Sequence, residues 1–391
     1  MKKKNESKPI TVLDLYSGLG GLSLGFEMTG AYHTIGGIDI FNRAVETFYF
    51  NHPDLSKLKL INRPQDLSVL DPQEVIKDIG CKPDVIVGGP PCQGFSQAGL
   101  RLENFEDDER NKQVFNFLRF VKAMRPKAFV MENVPGIIKT GQKKAGELLD
   151  YLIKQYEKAG YTVSYRIINS AEYRVPQQRK RLVLVGVRDS DKPFIFPNAI
   201  CEREGNLIYE SFNTVKDTLG DLPEPTEIEP QEYESYPSTP LERFLRGTSI
   251  ELYNHTPTKH SSEMIEKLKK QKPGERLYPN FNHAWIKLDG ERPAPTVKEN
   301  HRAPSIHYKA PRATTPRENA RLQTIPDDYI LLGNKSEQLI LVGNAVPAVM
   351  FAHIATSLAK QVFDITPPIS WTESHNPLLD ENCGSWKDAQ G

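Results

Sequence analysis

Between residues 10 and 190 the apolar positions switch repeatedly between two periods. Ile10-Thr11-Val12-Leu13-Asp14-Leu15-Tyr16 is apolar at most positions, as in a strand buried on both faces of a sheet. A glycine turn, Ser17-Gly18-Leu19-Gly20-Gly21, then runs into a helix. A second strand is expected near Thr34 to Ile40 with Asp39 at its end, and Phe41, Ala44, Val45 and Phe48 then recur at helical spacing. Val85-Ile86-Val87, Ala128-Phe129-Val130-Met131 and Arg181 to Val187 read as further strands, with a helix marked by Val114, Phe117, Leu118 and Val121. Strands alternating with helices predict an α/β chain with a mostly parallel, doubly wound sheet.

Beyond Arg188 this pattern is lost. Residues 197–240 carry two basic side chains against ten acidic ones, with many prolines and no clear period. Residues 241–321 carry sixteen Lys and Arg against nine Asp and Glu, interleaved with histidines and aromatics. Only Ser261 to Gln271 predicts a helix there, so a second, irregular domain is expected. Pattern returns at Thr315, where Thr315 as N-cap, Pro316 at N1 and Glu318 at N3 predict a helix start close to a capping box. Gly343-Asn344-Ala345-Val346-Pro347 is expected to open an apolar helix reaching about Lys360, and residues after Ile365 to form a loose tail.

Composition changes this picture in two places. The formal charge of the 391 residues is zero, which argues against a globally basic nucleic-acid binder, yet the basic 241–321 segment suits a phosphate backbone. Four cysteines without a CxxC pair suggest neither a disulfide framework nor a metal site. Met1-Lys2-Lys3-Lys4 is followed by no apolar run, and none elsewhere reaches membrane-spanning length, so a cytoplasmic protein is expected, without membrane or metal.

Candidate chemistry collects where strands end. Cys92 follows Val85–Val87 across the rigid corner Gly88-Gly89-Pro90-Pro91, a loop position where α/β sheets bind ligands. A small buried thiol is the competing reading of Cys92. The Gly18–Gly25 loop, with Asp39 about twenty residues on, fits a nucleoside ligand whose ribose an acid can hold. Ser23 stands where a dinucleotide fingerprint has its third glycine, which argues for a cofactor without a pyrophosphate. Glu132 closes another strand, and Arg179 and Arg181 are spaced to share a face; a helix cap and a solvated basic run are the bland alternatives.

Taken together and in order, these blocks resemble the C5-cytosine DNA methyltransferases from about Val12 to Leu358. The resemblance rests on Asp14–Gly25, Gly89-Pro90-Pro91-Cys92-Gln93, Glu132-Asn133-Val134, Gln177-x-Arg179-x-Arg181 and Gly343-Asn344-Ala345-Val346. It implies a Rossmann-like, S-adenosylmethionine-dependent catalytic domain at residues 1–190, completed by 325–365. It also implies a smaller target-recognition domain at 191–324, leaving 366–391 as tail. The cofactor would meet Tyr16, Gly18, Leu19, Gly20, Gly21, Asp39, Ile40, Asp66, Leu67, Gly89, Pro91, Asn344, Ala345 and Val346. Cys92 would be the nucleophile, Glu132 the acid, and Arg181, with Arg179 behind it, the partner of the cytosine O2.

The chain departs from the family pattern at several positions. Tyr16 stands where phenylalanine is commoner, Asp39 where glutamate is usual, Gln65 before Asp66 where glycine is usual, and Gln113 where an apolar residue lines the cofactor site. The partner implied is duplex DNA with a flipped-out cytosine, recognised through residues such as Asn254–His260 and Asn282–Trp285. A single compact recognition region resembles the bacterial modification enzymes that act beside a paired restriction endonuclease, and a monomer suffices for the chemistry. The tRNA-methylating branch and a catalytically dead DNA-binding relative are the rival readings. The long recognition segment argues against the first, and the intact Cys92, Glu132 and Arg181 against the second.

Overall fold

The structure, a computed structural model, describes residues 8–91, 112–139, 146–278, 285–299 and 304–380. Seven strands dominate its first half: β1 (Ile10–Leu15), β2 (Tyr32–Ile38), β3 (Val85–Gly88), β4 (Ala128–Asn133), β5 (Tyr161–Asn169), the two-residue β6 (Gln177–Gln178) and β7 (Lys180–Arg188). Six of them form one sheet in the order β2-β1-β3-β4-β7-β5. The strands β2, β1, β3 and β4 are mutually parallel, and β7 runs antiparallel to both neighbours. The sheet is thus mostly parallel, with β7 reversed. That reversal matters, because it delivers the start of β7 to the edge at which β1, β3 and β4 end.

Period-two alternation assigns each strand residue to one of two apolar layers. Val12, Val85, Val87, Val130, Val183 and Val185 face one side. Leu13, Leu15, Ile86, Phe129, Met131, Leu182 and Leu184 face the other. Helices α1 (Gly21–Glu27), α2 (Asn42–Asn51), α3 (Pro72–Ile79), α4 (Lys112–Met124) and α5 (Glu147–Lys158) connect or cover the strands. The edge strand β5 had no counterpart in the sequence reading. Its central residues are solvent-exposed, so it lacks the continuous apolar signature of the inner strands.

Helices α6 (Lys216–Leu219), α7 (Pro240–Arg246) and α8 (Ser262–Lys270) punctuate a largely irregular stretch. It is nonetheless anchored: Val215, Leu219, Leu241, Phe244 and Leu245 join the same apolar cluster as β1 and β3. Three more helices follow, α9 (Pro316–Leu322), α10 (Lys335–Asn344) and α11 (Ala348–Phe363). The N-terminus of α9 carries the full capping box, Thr315 with Glu318.

Two expectations are corrected. Gly343-Asn344 closes α10 rather than opening a helix, and Pro347 starts α11 instead. Between the two helices the backbone extends at Ala345, since Pro347 has no N–H to continue the ladder. The loose tail expected after Ile365 is instead packed as far as it is described. Trp371 is 1% exposed, its indole N–H donates to Met28 O at 3.3 Å, and its ring meets Phe244 edge-on. One large aromatic offsets the ordering of a stretch otherwise poor in apolar residues.

Candidate active site

Glu132 and Asn133 lie in register with Val183 and Leu182, at the carboxyl end of β4 and one step from the start of β7. Arg181 therefore meets Glu132 directly, with Nε 2.5 Å from Oε1. Glu132 is only 8% exposed, so this ion pair is largely shielded from solvent. The loop leaving β3 is bound to the same corner. Asn133 Nδ2 donates to Pro90 O at 3.2 Å, and a side chain at Gly89 would begin 3.2 Å from Glu132 Oε2. Pro91 is the last described residue of that loop, and Cys92 lies outside the described residues.

Arg179 does not share the face of Arg181, which corrects the expectation of two guanidiniums aimed together. Its side chain is 3% exposed and turns inward, donating to Val297 O at 2.7 Å and Gly343 O at 3.4 Å. Burial, then the neighbouring Arg181, push its guanidinium down to about 9, with Glu132 opposing them; it remains a cation at neutral pH. Arg179 thus ties β7 to the 297 segment and to the end of α10. Gln177 makes the parallel connection: its Oε1 accepts from Val297 N at 2.9 Å, while its Nε2 donates to Leu322 O at 3.0 Å.

The glycine loop after β1 turns through three left-handed residues, Tyr16 (φ 59°), Gly18 (φ 54°) and Gly20 (φ 96°). Asp39, just past β2, accepts from Gly18 N and Phe41 N, both at 2.8 Å. A Cβ on Gly21 would sit 2.5 Å from Val346 O, so the loop and the α10–α11 junction touch backbone to backbone. Leu19 is buried and offers a ligand only its backbone, and its carbonyl accepts from the hydroxyl of buried Tyr329. Beneath the loop, burial raises Asp14 to about 7, although Ser23 donates to it through both its hydroxyl and its backbone N–H.

The remaining expected contacts ring this loop. Ile40 is 65% exposed beside Asp39. Asp66 accepts from Ser68 N at 2.8 Å, and the Leu67 carbonyl is held by Arg119 at 2.5 Å. Asn344 is exposed, while Ala345 and Val346 are buried against the loop. Left-handed backbone, a carboxylate at the second strand end, an exposed apolar side chain and a further aspartate fit a nucleoside such as that of S-adenosylmethionine. Among the described residues, no group of three His, Cys, Asp or Glu side chains is placed to hold a metal.

Sequence reasoning missed Asn133 as a tether and Tyr329 as a loop support, because neither contact is local in the chain. It also misplaced part of the reading surface. Asn254 and His255 are buried; Asn254 Nδ2 donates to Leu331 O, and His255 bridges Thr315 Oγ1 and Pro223 O. His260 accepts from Ala313 N. Asn282, His283 and Ala284 lie outside the described residues, and Trp285 stacks edge-on with His260 and Tyr278.

Comparison with known proteins agrees with this geometry. The sequence profile described as C-5 cytosine-specific DNA methylase matches residues 10–360. The Type II methyltransferase M1.HphI of Haemophilus parahaemolyticus is 34% identical over 361 residues, covering 90% of this chain and 87% of that protein. M.DdeI of Desulfomicrobium norvegicum is 31% identical, covering 95% and 92%. In three dimensions the chain is similar to a prophage-encoded E. coli protein described as a DNA modification methyltransferase. The TM-score is 0.72 at 26% identity, covering 91% of this chain and 100% of that one. The chain belongs to the C-5 cytosine-specific DNA methylase family and is an S-adenosylmethionine-dependent DNA (cytosine-5)-methyltransferase.

Proposed function

We propose that this methyltransferase is the modification enzyme of a restriction–modification pair, working as a monomer on cytoplasmic duplex DNA beside a separate endonuclease. Its Type II relatives support that assignment. Residues 1–190 with 325–365 carry catalysis in this reading, and 191–324 carry recognition. The observation that bears most weight is the Glu132–Arg181 pair at the end of β4, with Pro90, two residues before Cys92 in the chain, tethered beside it.

Cytosine C5 is a weak nucleophile in an electron-poor ring. Attack by the Cys92 thiolate forms an Sγ–C6 bond and shifts the C5–C6 electron pair towards C5 and the ring. Glu132, paired with Arg181, holds N3 and the exocyclic amine and supplies a proton as charge builds there. Arg181 answers the charge developing at O2. S-adenosylmethionine, when bound, supplies an electrophilic methyl group to C5. Loss of the C5 proton to solvent then restores the C5–C6 double bond as the Sγ–C6 bond breaks and the thiolate leaves, and the ring proton returns to Glu132. Arg179 acts from behind, fixing the start of β7 so that Arg181 reaches Glu132. The target base must leave the helix stack to enter this corner, at a cost of about a few kcal/mol.

The direct test is transfer of labelled methyl to unmethylated duplex DNA, with tRNA in parallel and bisulfite sequencing of the product. Label at one short recurring DNA sequence is expected; label in tRNA alone moves the protein to the tRNA-methylating branch. Cys92→Ser is expected to abolish turnover while cofactor affinity stays within about twofold, well under the tenfold that 1.4 kcal/mol represents. Loss of cofactor binding in that variant assigns Cys92 a structural role instead.

A further inference from the structure

Tyr16 and Gln113, two positions at which the chain departs from the family pattern, are bonded to each other across 97 residues of sequence. The Tyr16 hydroxyl lies 2.8 Å from Gln113 Oε1 and 3.0 Å from the Gln113 carbonyl. Asn116 Nδ2 donates to the same Oε1 at 3.3 Å. Two donors converging on Oε1 orient the amide, leaving its Nε2 hydrogens as donors that no described residue accepts.

The pair sits where a nucleoside would be read. Tyr16 follows β1 directly, and its charged neighbours are Asp66, Arg119 and Asp39. Its left-handed backbone is costly for an aromatic residue and persists only where surroundings hold it. Those surroundings come from one helix. Gln113 and Arg119 are both on α4, and Arg119 also donates to the carbonyls of Leu67 and Leu70 at 2.5 and 3.1 Å. A single helix thus positions both the tyrosine and the loop that carries Asp66.

We propose that Tyr16 and Gln113 form one hydrogen-bonded wall of the adenosine pocket and determine its specificity for adenine. The tyrosine hydroxyl fixes the amide so that Gln113 Nε2 donates to a ring nitrogen of the base, while Asp66 accepts from its exocyclic amine. Adenine presents an acceptor at its ring nitrogen and a donor at its exocyclic amine, whereas an oxo-purine presents an N–H donor and a carbonyl acceptor at those positions. The proposal rests on the cofactor site described above.

Four variants test it: Tyr16→Phe, Gln113→Leu, the double variant, and Asp39→Ala as a reference. Binding of S-adenosylhomocysteine and of S-inosylhomocysteine is measured by calorimetry, alongside kcat and the cofactor KM. Each single change at the wall is expected to weaken S-adenosylhomocysteine about five- to tenfold, the value of one hydrogen bond. The double variant is expected to be no weaker than Gln113→Leu, because the two residues act as a unit. Gln113→Leu is expected to lose much of the preference for the adenine ligand. Additive effects, or a preference unchanged by Gln113→Leu, overturn the proposal. If Asp39→Ala also leaves binding intact, the cofactor-site reading falls with it; if only Asp39→Ala weakens binding, the wall alone is wrong.

Discussion

Arg179 and Arg181 flank the first residue of β7, whereas Arg317 and Arg321 lie on α9 about 140 residues later. Arg321 is fully buried, donating to both Asp327 oxygens at 2.9 and 2.6 Å and to Asp221. Arg317 lies beside it, donating to the carbonyls of Pro326 and Tyr329 at 2.7 and 2.8 Å, with Asp327 3.8 Å away. Two cations meet two carboxylates there, and the cluster closes on itself. At the sheet edge the ratio differs. Among the described residues Arg181 alone pairs with Glu132, Arg179 beside it donates to backbone carbonyls, and the ammonium of Lys298 is pushed down by burial and then by those same two arginines. A buried arginine therefore does not by itself mark a reactive site. A neutralised cluster holds elements together, whereas a cation surplus is left to answer charge that arrives or develops on a substrate.

The largest expected effect breaks the neutral cluster. Arg321→Leu strands Asp327 and Asp221 without their main partner, and the unfolding free energy is expected to drop by about 3–5 kcal/mol in urea titrations. Turnover per folded molecule should survive. A variant that keeps its stability and loses turnover would put Arg321 in the chemistry and end the distinction. Arg181→Ala is the mirror case: kcat is expected to fall about 10²–10³-fold, with stability within about 1 kcal/mol of the parent.

A third test is confined to acid. Burial raises the Glu318 carboxyl, but Arg312 and His307 outweigh it and hold it at about 2, against an ordinary 4.5. A carboxyl depressed in the folded state adds stability above its unfolded value, and that stability is lost as pH falls through the folded one. Glu318→Gln is therefore expected to lag the parent above about pH 4.5 and to converge with it towards pH 2, read by denaturant midpoints at each pH. The smallest effect belongs to the surplus itself. Lys298→Gln is expected to reduce the salt slope of DNA binding by about one phosphate contact and to leave cofactor affinity alone. An unchanged slope would remove Lys298 from the DNA-facing charge.

Much of the site was legible because its chemistry is local. Glu132, Arg181 and the turns around Gly18 and Gly89 are marked by strand ends, and strand ends show in apolar runs and glycine–proline punctuation. The α9 start was readable for the same reason, since its Thr315–Glu318 box spans only four residues. The inward turn of Arg179 was not, because its acceptors Val297 and Gly343 come from distant parts of the chain. Neither was the burial of Asn254, His255 and Trp371. Their neighbours in sequence are polar, and only tertiary packing supplies a core to enter.

The identity and order of the strand-end groups, and hence the family, can be read along the chain, because periodicity and turn chemistry act over a few residues. Tertiary structure alone decided which groups meet. The reversed β7 brings Arg181 to Glu132, and α4 carries Gln113 to Tyr16. Contacts between residues fifty to a hundred positions apart follow from how elements pack, and no local pattern encodes that.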